Sequence, residues 1–219
     1  IFSQARGMQR KRFDIVEWRI DWFEKFEDPD IVRRASRILH GILDDQPFLF
    51  TFRTEKEGGK RPITPEYYVE LNRIAAQEHL VDMIDVELFS GDEIVRQLVD
   101  IAHNANMPVV ISNHDFEKTP KLSEITYIVE KEQKLGDIAK VAFMPQDLDD
   151  TLTILAVLSH CEDTIAISMG DLGSYTRVMA SKFNSPITFA AGTDVTAPGQ
   201  IDIETMKSLL TMDLNIMDE

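Results

Sequence analysis

Ile138-Ala139-Lys140-Val141-Ala142-Phe143 reads as a strand, apolar except for one amine in its middle, and the strand-like run before it is Val109-Val110-Ile111-Ser112-Asn113-His114. A lysine placed where its charge is hard to hydrate can react as the free amine, and beside a histidine it can form a Schiff base with a ketone or aldehyde. The pair of runs points to covalent imine chemistry carried on neighbouring strands.

The same alternation of strand and helix extends in both directions. Strand-like runs occupy Asp14 to Asp21, Pro47 to Arg53, Met83 to Leu88, Pro108 to His114, Ile138 to Phe143, Thr164 to Met169 and Pro186 to Ala191. Stretches with helical periodicity lie between and after them, near 30–43, 65–79, 91–105, 121–135, 147–160, 173–183 and 201–212. Strand followed by helix, seven times over, predicts right-handed βαβ units and a parallel sheet. Residues 1–12 read as the tail of a further helix. The predicted architecture is therefore an α/β fold, a (β/α)8 TIM barrel lacking its first strand in this chain, with residues 1–219 forming one domain. A doubly wound open sheet is the alternative, but no glycine-rich phosphate loop follows any strand. Asp28-Pro29-Asp30, Thr64-Pro65-Glu66 and Met144-Pro145-Gln146-Asp147 carry helix-start chemistry.

Period-2 alternation sorts the strand residues by face. Glu17, Arg19 and Asp21 fall opposite Val16, Trp18 and Ile20. Arg53 shares a face with Leu49 and Thr51, Asp85 and Glu87 oppose Ile84, Val86 and Leu88, His114 has the parity of Ser112, and Lys140 that of Ile138 and Ala142. Charged groups from five strands would thus point into one interior, towards the C-terminal mouth where barrel enzymes carry their sites. A strand-end lysine reaching to solvent is the plain alternative for Lys140. His114 alone would be an ordinary histidine, but next to Lys140 it becomes a general acid/base. Glu57, in the loop Thr54-Glu55-Lys56-Glu57-Gly58-Gly59-Lys60, could orient that histidine, although loop glutamates are usually solvated; Gly58-Gly59 reads as a flexible turn. Gly192-Thr193-Asp194-Val195-Thr196-Ala197-Pro198-Gly199-Gln200 is long and polar enough for a lid, and Arg177 would ordinarily sit on a solvated helix face.

Composition narrows the partners. A net charge of −15 over 219 residues shows no basic face for phosphate, which argues against nucleic acid. No apolar run approaches the roughly 18 residues of a membrane span, and the basic start lacks a signal-peptide core. One cysteine, Cys161, fits a reducing compartment, and the expected location is the cytoplasm. No His/Cys/Asp cluster has metal-ligand spacing, so no metal is expected. Against the acidic background, Arg19 and Arg53 at strand ends mark a local site for a small anion.

Five stretches, Asp14-Ile-Val-Glu-Trp-Arg-Ile-Asp21, Phe50-Thr-Phe-Arg-Thr-Glu-Lys-Glu-Gly-Gly59, Asn113-His-Asp-Phe-Glu-Lys-Thr-Pro120, Asp137-Ile-Ala-Lys-Val-Ala-Phe-Met-Pro-Gln146 and Ala197-Pro-Gly-Gln-Ile201, occur in order along the chain, which resembles the type I 3-dehydroquinate dehydratases of the shikimate pathway. The resemblance implies a hydro-lyase without cofactor, commonly a homodimer, that converts 3-dehydroquinate to 3-dehydroshikimate. It implies an imine between Lys140 and the substrate C3 ketone, with His114 moving the C2 proton to the C1 hydroxyl and Glu57 assisting. It further implies that Arg177, Thr196 and Gln200 hold the carboxylate with the lid, and that Glu17, Arg19 and Arg53 hold the ring hydroxyls. Met169 and Phe189 would be apolar walls, with Asp85 and Asp21 in support behind them. Thr196 stands where the family commonly has serine, and the family's N-terminal hairpin and first strand are not read here. Another Schiff-base lyase on the same barrel, such as an aldolase, and a non-catalytic homologue that keeps the fold are the competing functions.

Overall fold

The computed structural model describes residues 1–8, 11, 13–43, 46–183 and 185–212. Helix α1 (Phe2–Met8) precedes strand β1 (Val16–Arg19), followed by α2 (Pro29–Leu43), β2 (Phe48–Thr51), α3 (Pro65–Gln77), β3 (Met83–Glu87), α4 (Asp92–Asn104) and β4 (Val109–Asp115). Then come α5 (Leu122–Gln133), β5 (Ile138–Phe143), α6 (Leu148–His160), β6 (Thr164–Ser168), the short α7 (Gly170–Gly173) and α8 (Thr176–Met179), and α9 (Ile203–Thr211). The helix expected over 1–12 is present as α1; residues 9, 10 and 12 lie outside the described residues.

Among the described residues, six strands form one parallel sheet in sequence order, β1 to β6. That sheet is curled. Four strand spacings separate β1 from β5, about 19 Å in a flat sheet. Yet Lys140 Nζ on β5 lies 3.6 Å from Glu17 Oε1 on β1, so the inner face must close on itself as a barrel wall does.

The starts and faces of the elements follow the sequence chemistry. Asp28 accepts from the backbone N–H of Asp30 and Ile31, Thr64 from Tyr67 and Asp147 from Asp150, capping α2, α3 and α6, with Pro29 and Pro65 opening the first two. On the outer face Trp18, Phe48, Phe50, Ile84, Val86, Val109 and Ile111 join the core under α2 to α4, while Ala139, Val141 and Phe143 pack under α5 and α6. Trp18 stacks on Phe48 at 5.8 Å and meets Phe50 edge-on at 5.9 Å. Each such buried side chain contributes about 1.5–3 kcal/mol. The alternate residues, Leu49, Thr51, Asp85, Glu87, Ser112 and Lys140, are also buried, but inside the curl.

One expected strand is not formed. Among the described residues, 186–191 contribute only an isolated bridge, Ala191 to Asp202, and no ladder runs along β6. Side chains take the carbonyls a ladder would use: Ser185 Oγ donates to Thr164 O at 3.0 Å and to Ile187 O at 3.4 Å, and Arg177 Nη1 donates to Phe189 O at 3.4 Å. Pro186 has no N–H to offer. No helix among the described residues is long and apolar enough to cross a membrane.

Candidate active site

Among the described residues, short 3-10 turns follow β1, β2 and β3, at Ile20–Trp22, Glu55–Glu57 and Leu88–Ser90. The Glu55–Glu57 turn buries a residue that loop position alone would leave in water: Glu57 is 5% exposed. Gly58 adopts φ +81, and a Cβ at Gly59 would lie 1.8 Å from Arg53 O. The glycine pair is therefore a tightly packed turn, where the sequence suggested only a flexible one, and it is what lets the backbone swing Glu57 inward.

Glu57 Oε2 meets His114 twice, accepting from its backbone N–H at 3.1 Å and lying 2.9 Å from Nδ1. Burial holds the His114 imidazole well below its usual pKa, helped by the positive charges of Arg53, Lys140 and Arg19. Burial, with Glu87 and Asp85 as like charges, pushes the Glu57 carboxyl up to about 8 against the pull of Arg53 and Asn113. Both shifts favour the uncharged forms of the two groups.

Arg53 is the hub of the interior. Nη2 donates to Asp85 at 2.8 Å, and Nη1 donates to Glu87 at 3.0 Å, Ser112 Oγ at 2.9 Å and, more distantly, Glu57 at 3.5 Å. Burial opposes its charge, but Asp85, Glu87, Glu57 and Glu17 outweigh that and raise its pKa. Asp85 is likewise disfavoured by burial as an anion, yet Arg53 and Lys140 hold it below the usual carboxylate range.

Lys140 is 4% exposed. Its Nζ donates to Asp85 Oδ2 at 3.1 Å, lies 3.6 Å from Glu17 Oε1 and sits 4.2 Å from the centroid of the Phe189 ring. The apolar neighbours seen in the sequence, Ala139 and Val141, face the helices instead. The amine's own surroundings are two carboxylates and one aromatic wall.

On the far side, Arg19 forks onto Asp21 with two 2.8 Å bonds and reaches Thr196 O at 3.4 Å. Gln200 Oε1 gathers the lid, accepting from Thr196 N at 2.8 Å, Thr196 Oγ1 at 3.3 Å and Ala197 N at 3.3 Å. Arg177 overturns the solvated-face reading, being 2% exposed. Among the described residues it donates only to the carbonyls of Phe189 and Pro198 and its Nε has no partner, and burial lowers its pKa to about 10. No carboxylate among the described residues pairs with it.

Glu17, Arg19, Arg53, Glu57, His114, Lys140, Met169, Arg177, Phe189, Thr196 and Gln200 all line one cavity, with Phe116 and Ile167 among the added walls. Asp85 and Asp21 stand behind it, bonded to Lys140, Arg53 and Arg19. A surface cleft along α2, lined by Asp30, Arg33, Arg34, Arg37 and Ile38, holds none of these groups.

Glu132 is a residue the sequence reading passed over, although Ile125, Val129 and Glu132 follow the spacing of one helix face. It is fully buried in α5, and its Oε2 accepts the backbone N–H of Lys140 at 3.0 Å while Oε1 has no partner among the described residues. Burial raises its pKa well above the normal value. The unfolded chain therefore releases this proton at lower pH than the folded one, and stability present below about pH 4.3 is lost as the pH rises. Glu132→Gln is expected to leave the melting temperature unchanged near pH 4 and raise it by about 3 °C near pH 8, read by calorimetry.

Comparison with known proteins agrees with this geometry. The family described as "Type I 3-dehydroquinase" matches residues 1–217. A 3-dehydroquinate dehydratase from Methanobrevibacter smithii is 57% identical over 218 residues, covering 100% of this chain and 92% of that protein. One from Escherichia coli is 41% identical over 217 residues, covering 96% and 86%. A crystal structure of type I 3-dehydroquinate dehydratase from Clostridium difficile with covalently modified comenic acid superposes with a TM-score of 0.90 at 40% identity, covering 95% of this chain and 85% of that one. The enzyme from Geobacillus kaustophilus gives 0.91 at 31% identity, covering 95% and 84%. With a barrel sheet in sequence order and a family match along nearly its whole length, this chain belongs to the type I 3-dehydroquinase family.

Proposed function

We propose that this chain dehydrates 3-dehydroquinate to 3-dehydroshikimate through a Schiff base on Lys140. The observation that carries the reading is the pairing, in one cavity, of a buried lysine and a Glu57-held histidine with Arg177, a buried guanidinium whose only partners among the described residues are carbonyls. Such a cation calls for an anion from outside, and a substrate carboxylate fits its fork. An aldolase acting on a neutral carbonyl compound would leave it unpaired.

In this mechanism the amine of Lys140 adds to the C3 ketone, and the proton leaving Nζ passes to Glu17 Oε1, since Arg53 and Lys140 keep Asp85 ionised. The carbinolamine loses water to give an iminium. His114 takes the C2 proton, and the C–H electrons move into the iminium as an enamine. The enamine then expels the C1 hydroxyl, protonated by His114, and restores a conjugated iminium. Water hydrolyses that iminium, freeing product and Lys140, so one water is lost overall. Glu57 holds Nδ1 and leaves Nε2 for the substrate. Glu17, Arg19 and Arg53 hold the ring hydroxyls, Met169 and Phe189 form the apolar walls, and Thr196 and Gln200 close over the carboxylate as a lid. A cytoplasmic homodimer with one barrel domain over residues 1–219 belongs to the same reading, supported by the family likeness and by Cys161 as the one cysteine.

The test is turnover of 3-dehydroquinate by the purified chain, followed by the absorbance of the conjugated enone product. Appearance of that band supports the reading, and a folded chain that gives none contradicts it. Arg177→Ala is expected to raise KM by about 100-fold, about 2.8 kcal/mol for a lost charge-assisted pair, with kcat much less affected. Steady-state kinetics would contradict this if KM stayed within threefold of the parent value.

A further inference from the structure

Glu87 takes no part in the chemistry above, yet it is placed where it controls the pair that does. It closes β3 and is 3% exposed. Oε1 accepts from Arg53 Nη1 at 3.0 Å and Thr54 N at 2.8 Å, and Oε2 accepts from Thr54 Oγ1 at 2.7 Å. Its own backbone N–H is bonded to the Tyr68 hydroxyl at 3.1 Å. Both carboxylate oxygens are thus held, and the backbone behind them is anchored.

Arg53 Nη1 is shared among Ser112 Oγ at 2.9 Å and two carboxylates, the shorter carboxylate arm, 3.0 Å, going to Glu87 and the longer, 3.5 Å, to Glu57 Oε2. That same Oε2 is the atom that meets both Nδ1 and the backbone N–H of His114. The guanidinium and the histidine compete for one oxygen. Without Glu87, Arg53 would be free to close on Glu57 and draw it from His114.

We propose that Glu87 is a positioning residue for the dehydration: by gripping Arg53 and the Thr54 turn, it keeps Glu57 Oε2 available to His114. The inference rests on the dehydratase reading. Glu57 faces Arg53 from the end of β2, Asp85 and Glu87 from β3, and Asn113 and His114 from β4; His114 in turn feels Lys140 from β5 and Arg19 from β1. His114 can accept the substrate proton only while the pair holds a single proton, on Nδ1, with Glu57 ionised. A second proton on Glu57 blocks it, so kcat/KM should rise with pH through a midpoint at about 8 and level off only at higher pH. Losing the charge of Glu87 removes a repulsion and releases Arg53, and both effects favour ionised Glu57.

The experiment is the pH profile of kcat/KM for the full chain and for Glu87→Gln, with borohydride trapping of the imine as a control. The expected result is an acid limb moved about one pH unit lower, a reduced plateau and undiminished trapping. Glu87→Asp, which keeps the charge, should return the limb towards its original position, as a purely structural defect would not. If Glu87→Gln does not fold, Thr54→Val loosens the same carboxylate and should move the limb in the same direction by less. A limb that stays in place in the folded variants overturns the proposal while leaving the dehydratase reading intact. Absence of turnover in the parent chain removes both.

Discussion

Lys140→Ala is expected to abolish turnover, by about 10⁴-fold or more, the scale seen when a nucleophile that works as part of a unit is removed. Among the described residues, the alanine variant removes the only lysine lining the cavity and leaves no other amine there to attack the C3 carbonyl. Its fold should survive, because Asp85 keeps Arg53 at 2.8 Å and Ser112 at 2.6 Å as partners and is not left as a lone buried charge. Far-ultraviolet circular dichroism and a melting curve close to the parent's, alongside lost turnover, are the paired result. A variant that retained a tenth of the parent rate would mean that elimination proceeds without an imine.

His114→Ala should separate the covalent step from the proton transfers. The amine and its carboxylate neighbours remain, so the iminium still forms, while loss of the acid/base group slows elimination by about 10²–10⁴-fold. Single-turnover mixing followed by mass spectrometry should show the substrate adduct accumulating on Lys140, since its formation now outpaces its decay. An unchanged elimination rate would move the base role to another group, with Glu57 the next candidate. The variant also leaves the Glu57 carboxyl buried without its imidazole partner, which favours its neutral form.

Parity was the most informative sequence signal, because it depends only on alternation within a strand. It puts Glu17, Arg19, Arg53, Asp85, His114 and Lys140 on one face, and the cavity gathers those side chains or the groups bonded to them. Helix starts were equally legible, since Asp28, Thr64 and Asp147 act on neighbours two or three residues away. What could not be read depends on contacts distant in sequence. Arg177 carries no local mark of burial; it is enclosed by Phe189 and Pro198, carbonyls from a segment folded back over α8. Glu57 looked like a solvated loop residue because the close approach of Gly59 to Arg53 O, which turns it inward, is a three-dimensional fact. The same holds for 186–191, whose apolar pattern fits a strand while side-chain bonds from Ser185 and Arg177 claim its carbonyls. The amine's apolar flanks were real, but they lie in the helix-facing layer, and its charged neighbours come from β1 and β3.

Borohydride reduction during turnover of 3-dehydroquinate, followed by peptide mass mapping, bears most directly on the imine. The account predicts a stable adduct on the peptide carrying Lys140, formed in proportion to the activity lost. Inactivation with no adduct, or an adduct on a surface lysine such as Lys60 while Lys140 stays unmodified, would contradict it.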